Sequence, residues 1–335
     1  MKFRGANTDH AADQKKLTRL IREWHNLCKR ELCGEQSLLS MLPHNSLPIL
    51  LEATERAIVA AGGYHGWEKL SSDEKITRNL ATCADICRRI GEEEFMQLSD
   101  QEKSAIDWFV WVGCCMHKEL NTVKGGAARF PGFWARNNLP GPVKLMNRDN
   151  DAAAALGGEA RERAEHISQG GAIKLTSLAG DAFNNRDDKR GHQDTYKYFM
   201  EDSVGCLVKF PDTSNTRFQS HCEAASVLLL YQELFIEFLH LIKHKKDSHA
   251  LNHMEANVLK GLEDLSTIHE LCVLSLFSQV VSHPYMHCVH RDVNALTLGP
   301  LHRAIAEFMK KIIANPELLL SPQATYETGS FDGKP

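Results

Sequence analysis

Apolar positions along this chain recur mostly at spacings of three and four, the period of one helix face. Over residues 9–33 the stripe is Leu17, Leu20, Ile21, Trp24, Leu27, Cys28 and Leu32. Residues 46–61 repeat the pattern, from a Ser46 cap to a Gly62-Gly63 stop. Ser71 or Ser72 opens another helix that runs to Gly91, and Ser99 opens the next. Glu102, three residues after Ser99, completes a reciprocal capping box.

The period then changes. DWFVWVGCC (107–115) is short, aromatic and β-branched, the profile of a buried strand, and MHKELNTVKGG after it reads as a helix start. Gly125, Gly126, Pro131 and Gly132 interrupt the next stretch, and 140–158 reads as a loop, then a helix capped by Asp151. Residues 168–215 lack a clear period, and RDDKRGHQD (186–194) reads as a solvated loop. Helices are predicted at 216–246, 251–263, 264–282 and 297–314, a bundle or array, followed by a frayed polar tail at 321–335. The expected fold class is therefore mainly α with a small β element.

Composition narrows the options. The 335 residues are 43% hydrophobic, enough to bury a sizeable core in more than one domain. The net charge of -4 excludes a globally basic nucleic-acid coat but not a local basic groove. Ten cysteines are too dilute for a disulfide scaffold, and no signal peptide is read at the start. An intracellular protein, nuclear or cytoplasmic and not secreted, is expected. The longest apolar stretch (227–242) carries Gln232, Glu233, Glu237 and His240, so no membrane partner is expected. The chain has no Gly-rich phosphate loop, G-x-S-x-G or C-x-x-C pair, and no small-molecule substrate is inferred.

Four groups of residues carry candidate chemistry. Asp9 precedes a helix, where a carboxylate either caps or binds a ligand. Cys114 and His117 form C-x-x-H at the end of the predicted strand. That spacing fits half a zinc site, a Cys nucleophile with its base, or a structural pair. The helical pairs Cys28/Cys33, Cys83/Cys87, His240/His244 and His249/His253, with His283/His287/His290, offer further zinc ligands, though none has the H-E-x-x-H form. Arg217 and Phe218 open the 216–246 helix, where either Phe218 packs and Arg217 is solvated, or Arg217 contacts phosphate and Phe218 stacks on an unpaired base.

The order of these motifs resembles the hAT superfamily of DNA transposases. The matching segments are Thr8-Asp9-His10-Ala11, then Cys114-x-x-His117 with Leu120 and Asn121, then Thr216-Arg217-Phe218-Gln219-Ser220. The chain as a whole is similar to a multicopy protein family of basidiomycete fungi, through GCCMHKELN, PVKLMNRDN, KLTSLAG and FPDTSNTRFQSHC. The first resemblance implies an RNase H-like core interrupted by a helical insertion, and chemistry on DNA phosphodiesters with Mg²⁺. It makes Asp9 a metal-binding carboxylate and Cys114/His117 a signature of the core. The implied layout is a remnant core strand and helix at 1–33, a helical insert at 34–106, a core strand and mixed segment at 107–215, and the insertion domain at 216–320.

The departures have consequences. Residues 10–113 separate the first two motifs, where the superfamily has a short interval; K-E-L-N after His117 is one residue longer than its common pattern; and Phe218 stands where it usually has Trp. Only residues 1–8 precede Asp9, so two of three carboxylates are expected to be missing, with Glu307, Glu317 and Glu327 as unconvincing substitutes. A lone Asp9 is a weak Mg²⁺ site at most. The expectation is a transposase-derived fragment, inactive in cleavage, with no ion bound stably. DNA contact is expected through Lys15, Lys16, Arg19, Lys118, Lys124, Arg217 and Phe218. An open strand edge invites pairing with a second copy. The alternatives are a non-catalytic helical scaffold using 216–314 and a zinc protein joining Cys114/His117 to 283–290. One spatial expectation separates them: the strands ending at Asp9 and at Cys114 should be neighbours.

Overall fold

A computed structural model describes residues 4–187, 191–213, 219–290 and 293–334. The chain is mainly helical, with 74% of residues in helix and 3% in strand. It divides into two compact units, Met1–Cys114 and Cys115–Pro335.

The first unit contains β1 (Gly5–Thr8), α1 (Ala12–Ser40), α2 (Pro43–Ala60), α3 (Tyr64–Glu68), α4 (Ser72–Gln97), α5 (Asp100–Ile106) and β2 (Val110–Gly113). β1 and β2 pair in parallel, with Gly5 opposite Val110 and Thr8 opposite Gly113. Parallel neighbours need a long crossover, and the five helices supply it. The helix starts follow from capping. Ser71 and Glu74 exchange bonds at the head of α4, and Ser99 and Glu102 do the same at α5.

The expected boundary between 1–33 and 34–106 is not there. α1 passes through it unbroken, because Gly34 serves a close helix crossing rather than a stop. A Cβ at Gly34 would collide with the Cys87 carbonyl on α4, and one at Gly91 with the Arg30 carbonyl on α1. Buried residues of α1 are Thr18, His25, Arg30 and Gly34. Arg30 lies over the Phe95 ring at 3.2 Å and bonds Glu92 (3.0 Å) and Asp107 (2.9 Å). Of the predicted apolar stripe, Leu17, Leu20, Trp24 and Leu27 are all exposed. A small cluster of Ala53, Ile86 and Ile90, flanked by Leu38, Met41 and Ile49, is the unit's apolar core.

The second unit begins with α6 (Cys115–Ala127), α7 (Phe130–Arg136), α8 (Arg148–Ala155), α9 (Gly158–Ile167), α10 (Gly171–Asn184) and α11 (Gln193–Val204). α6 runs on through Gly125 and Gly126, and the α8 cap is Asn147 rather than Asp151. The poorly periodic 168–215 segment holds two helices. α10 buries one face, Gly171, Ala172, Leu175, Thr176, Ala179, Gly180, Ala182 and Phe183. The 186–194 loop is tied down at both described ends. Asp187 accepts bonds from Asp194 and Thr195, and His192 bonds Glu255.

α12 (Gln219–Leu230) and α13 (Gln232–Lys245) replace the single helix expected over 216–246, with a bend of 82° between them. They are followed by α14 (His253–Leu262) and α15 (Leu265–Phe277). α15 continues through a π-helical turn (Ser278–Ser282) into α16 (His283–Val289). By length and apolar content Leu265–Val289 could cross a membrane, but it carries the buried Glu270 and packs on α10 and α12. α17 (Gly299–Ala314), α18 (Glu317–Leu320) and α19 (Tyr326–Gly329) complete the unit. Its core is aromatic: Phe183, Tyr196, Phe210, Phe235 and Phe238 are each at most 1% exposed.

The tail is not frayed. Pro284 has no N–H to offer the Val280 carbonyl one turn back, and that carbonyl accepts the Phe331 N–H at 2.9 Å. Phe331 meets the Phe308 ring at 5.8 Å, and Ser330 is buried.

Candidate functional site

The strand seam brings Thr8 and Asp9 beside Gly113 and Cys114. The Cys114 N–H donates to the Thr8 carbonyl at 2.9 Å, extending the ladder one residue past β2. The Trp111 indole N–H donates to the Thr8 hydroxyl at 2.9 Å. His10 meets the edge of the Trp111 ring, centroids 5.4 Å apart, and Gly113 makes room for it, since a Cβ there would collide with the imidazole. Asp9 therefore leaves β1 beside the residue at which β2 gives way to Cys114.

Asp9 is half-buried, and its Oδ1 accepts the Ala11 N–H at 2.8 Å, holding the turn into α1. Two-ion phosphoryl chemistry requires several carboxylates converging on ions about 4 Å apart. Among the described residues no group of three or more His, Cys, Asp or Glu is arranged to hold a metal. This donor set does not fit a two-ion centre.

The other predicted residues are dispersed. Lys15, Lys16 and Arg19 are exposed on the first turns of α1, where Arg19 faces Glu23 at 3.7 Å. Cys114 closes the first unit. His117, Lys118, Leu120, Asn121 and Lys124 lie on α6 in the second. Lys118 lines a cavity of about 170 Å³ and Lys124 a cleft of about 800 Å³. Arg217 and Phe218 lie outside the described residues. His283, from the zinc-ligand candidates, bonds the Ser278 hydroxyl.

Sequence reasoning missed three buried carboxylates of the second unit. Glu119, two residues after His117, accepts a 2.6 Å bond from Ser282 on the π-helical turn, and burial pushes its carboxyl up. Its signal was its i,i+4 spacing from the buried Val123. Glu119 and Ser282 line the small cavity with Lys118, Tyr285 and His302. There Tyr285 bonds His302 at 3.1 Å, and burial with the Lys118 charge lowers the imidazole.

Glu270 accepts the Trp134 indole N–H at 2.8 Å and the Ala172 N–H at 2.9 Å, and burial raises it. Gly171, at φ +80°, leaves no room for a Cβ against Glu270. Glu255 is fully buried. Burial pushes its carboxyl up, but bonds from His192, Lys246 and Asn252 and the Lys246 charge outweigh that and bring it to about 2. The only sequence signal for Glu255 was its capping box with Asn252.

No family model, curated protein or solved structure matches the chain.

Proposed function

We propose that this is a transposase-derived protein that contacts DNA without cleaving it. What supports the reading is the parallel pairing of the strands that carry T-D-x-A and C-x-x-H, despite the five helices between them. On this reading the first unit carries two neighbouring strands of an RNase H-like core. Asp9 keeps the position of a metal-binding carboxylate but acts as the brace of the turn into α1. Lys15, Lys16 and Arg19, one turn further on, contact phosphates.

The test is fluorescence anisotropy with duplex and hairpin DNA at rising salt. Each lost phosphate contact flattens the log–log salt dependence by about one. Replacing Lys15, Lys16 and Arg19 by Ala is expected to reduce the slope by about two to three. No nicking is expected with Mg²⁺ or Mn²⁺. Metal-dependent nicking would contradict the inactive reading, and the absence of salt-dependent DNA binding would contradict the DNA reading. The second reading is a helical interaction protein, favoured by the uncovered Leu17, Leu20, Trp24 and Leu27.

A further inference from the structure

The cleft beside Lys124 has two chemistries in its wall. Lys124, Lys144 and Lys174 bring three ammonium groups, and Pro131, Pro142 and Ile173 bring apolar surface. Its volume of about 800 Å³ falls in the range of small-molecule sites. A fourth lysine, Lys260, sits at the rim with its Nζ on the Lys144 carbonyl at 3.2 Å. Ion pairs among the described residues of this unit include Arg161–Glu165, His192–Glu255, Lys246–Glu255 and Lys310–Glu307. Neither Lys144 nor Lys174 has an acidic partner among the described residues.

The wall also holds one carboxylate. Glu270 is engaged by the Trp134 and Ala172 N–H groups, and burial favours its neutral form. The floor is braced by backbone: the Leu145 N–H donates to the Gln169 carbonyl at 2.9 Å, and Lys144 bridges Gly170. A Cβ at Gly170 would collide with the Val143 carbonyl, so the glycine permits that approach. The Lys144 and Lys174 ammonium groups, set around an apolar wall, suit a ligand with an anionic head and a flat, weakly polar body. Lysine binds phosphate as a point charge.

The geometry points to a nucleoside-phosphate site, with the phosphate on Lys144 and Lys174 and the base against Pro131, Pro142 and Ile173. The choice of a nucleotide among such anions rests on the DNA reading. The nucleotide is either free or part of a single strand.

Thymidine monophosphate, a short oligothymidylate and inorganic phosphate are titrated into the full chain by calorimetry. The nucleotide is expected to bind more tightly than inorganic phosphate. The double variant Lys144→Ala/Lys174→Ala is expected to weaken it by about tenfold or more, with the helical circular-dichroism signal unchanged. If the double variant loses that signal, Lys144→Glu on the exposed Lys144 alone gives the same reading. Tighter oligothymidylate binding assigns the site to a strand, and equal binding assigns it to free nucleotide. Absence of saturable nucleotide binding, or binding indifferent to the lysine variants, overturns the site. If the nucleotide fails while duplex DNA still binds through Lys15, Lys16 and Arg19, the cleft is wrong and the DNA reading stands. If duplex DNA fails while the nucleotide binds, the reverse holds.

Discussion

The two units solve burial in opposite ways. The second closes a core of aromatic rings around Phe183, whose centroid lies 5.1 Å from those of Tyr196 and Phe235. The first joins its two long helices through glycine and arginine and leaves its best apolar stripe outside, with Trp24 52% exposed. The second unit is held by side-chain area removed from water. The first is held by backbone proximity at Gly34 and Gly91, a buried guanidinium, and a two-stranded parallel sheet. Parallel sheets are ordinarily covered on both faces and more extensive than this.

The sharpest way to break the comparison is at the helix crossing. Gly91→Leu places a branched side chain against α1 backbone that has no side chain to move aside. The expected result is loss of the α1–α4 crossing, seen as proteolysis within 1–114 while 115–335 stays protected. If Gly91→Leu is tolerated, the two helices are not held in backbone contact. Next is Phe235→Ala, expected to cost about 3–5 kcal/mol in denaturant unfolding of the second unit, as for buried aromatic truncations generally.

Acid should also separate the units. Because the folded value of Glu255 is depressed, its contribution is complete above the ordinary carboxyl value and is lost as pH falls toward about 2. A shift of this size corresponds to about 3 kcal/mol. The part of the second unit's stability that Glu255→Gln removes, followed by urea midpoints of both proteins from neutral pH downward, is expected to fall by this amount. The smallest effect belongs to the exposed stripe. Trp24→Glu is expected to change stability by less than about 0.5 kcal/mol, as surface substitutions do. A larger loss would mean that the stripe is covered, favouring the interaction-protein reading.

These contrasts show what was legible in the sequence and what was not. The capping box at Ser99, the strand within 107–115 and the neighbouring of the Asp9 and Cys114 strands follow from local chemistry and motif order. The outward orientation of the α1 stripe does not, because a 3.6 period identifies a face without saying what covers it. α10 escaped because its polar stripe is thin, Lys174, Ser177 and Asp181, and Gly171 and Gly180 read as breakers. The 82° turn at Tyr231 escaped because both flanking segments favour helix, and only tertiary contacts stop the first. Docking of the tail depended on Pro284 freeing a carbonyl far along the chain. Burial of Glu119 and Glu270 left no mark in the sequence, since Ser282, Trp134 and Ala172, their partners, lie far along the chain.

The strand seam carries the transposase-derived reading. Its most direct test is NMR of the isotopically labelled chain, measuring cross-strand NOEs between Ala6–Thr8 and Trp111–Gly113 together with exchange of the Cys114 amide. The expected result is the parallel pattern, Thr8 beside Gly113, and a Cys114 amide protected by the Thr8 carbonyl. Absence of those NOEs, or a Cys114 amide that exchanges freely while the α1 amides stay protected, would contradict it.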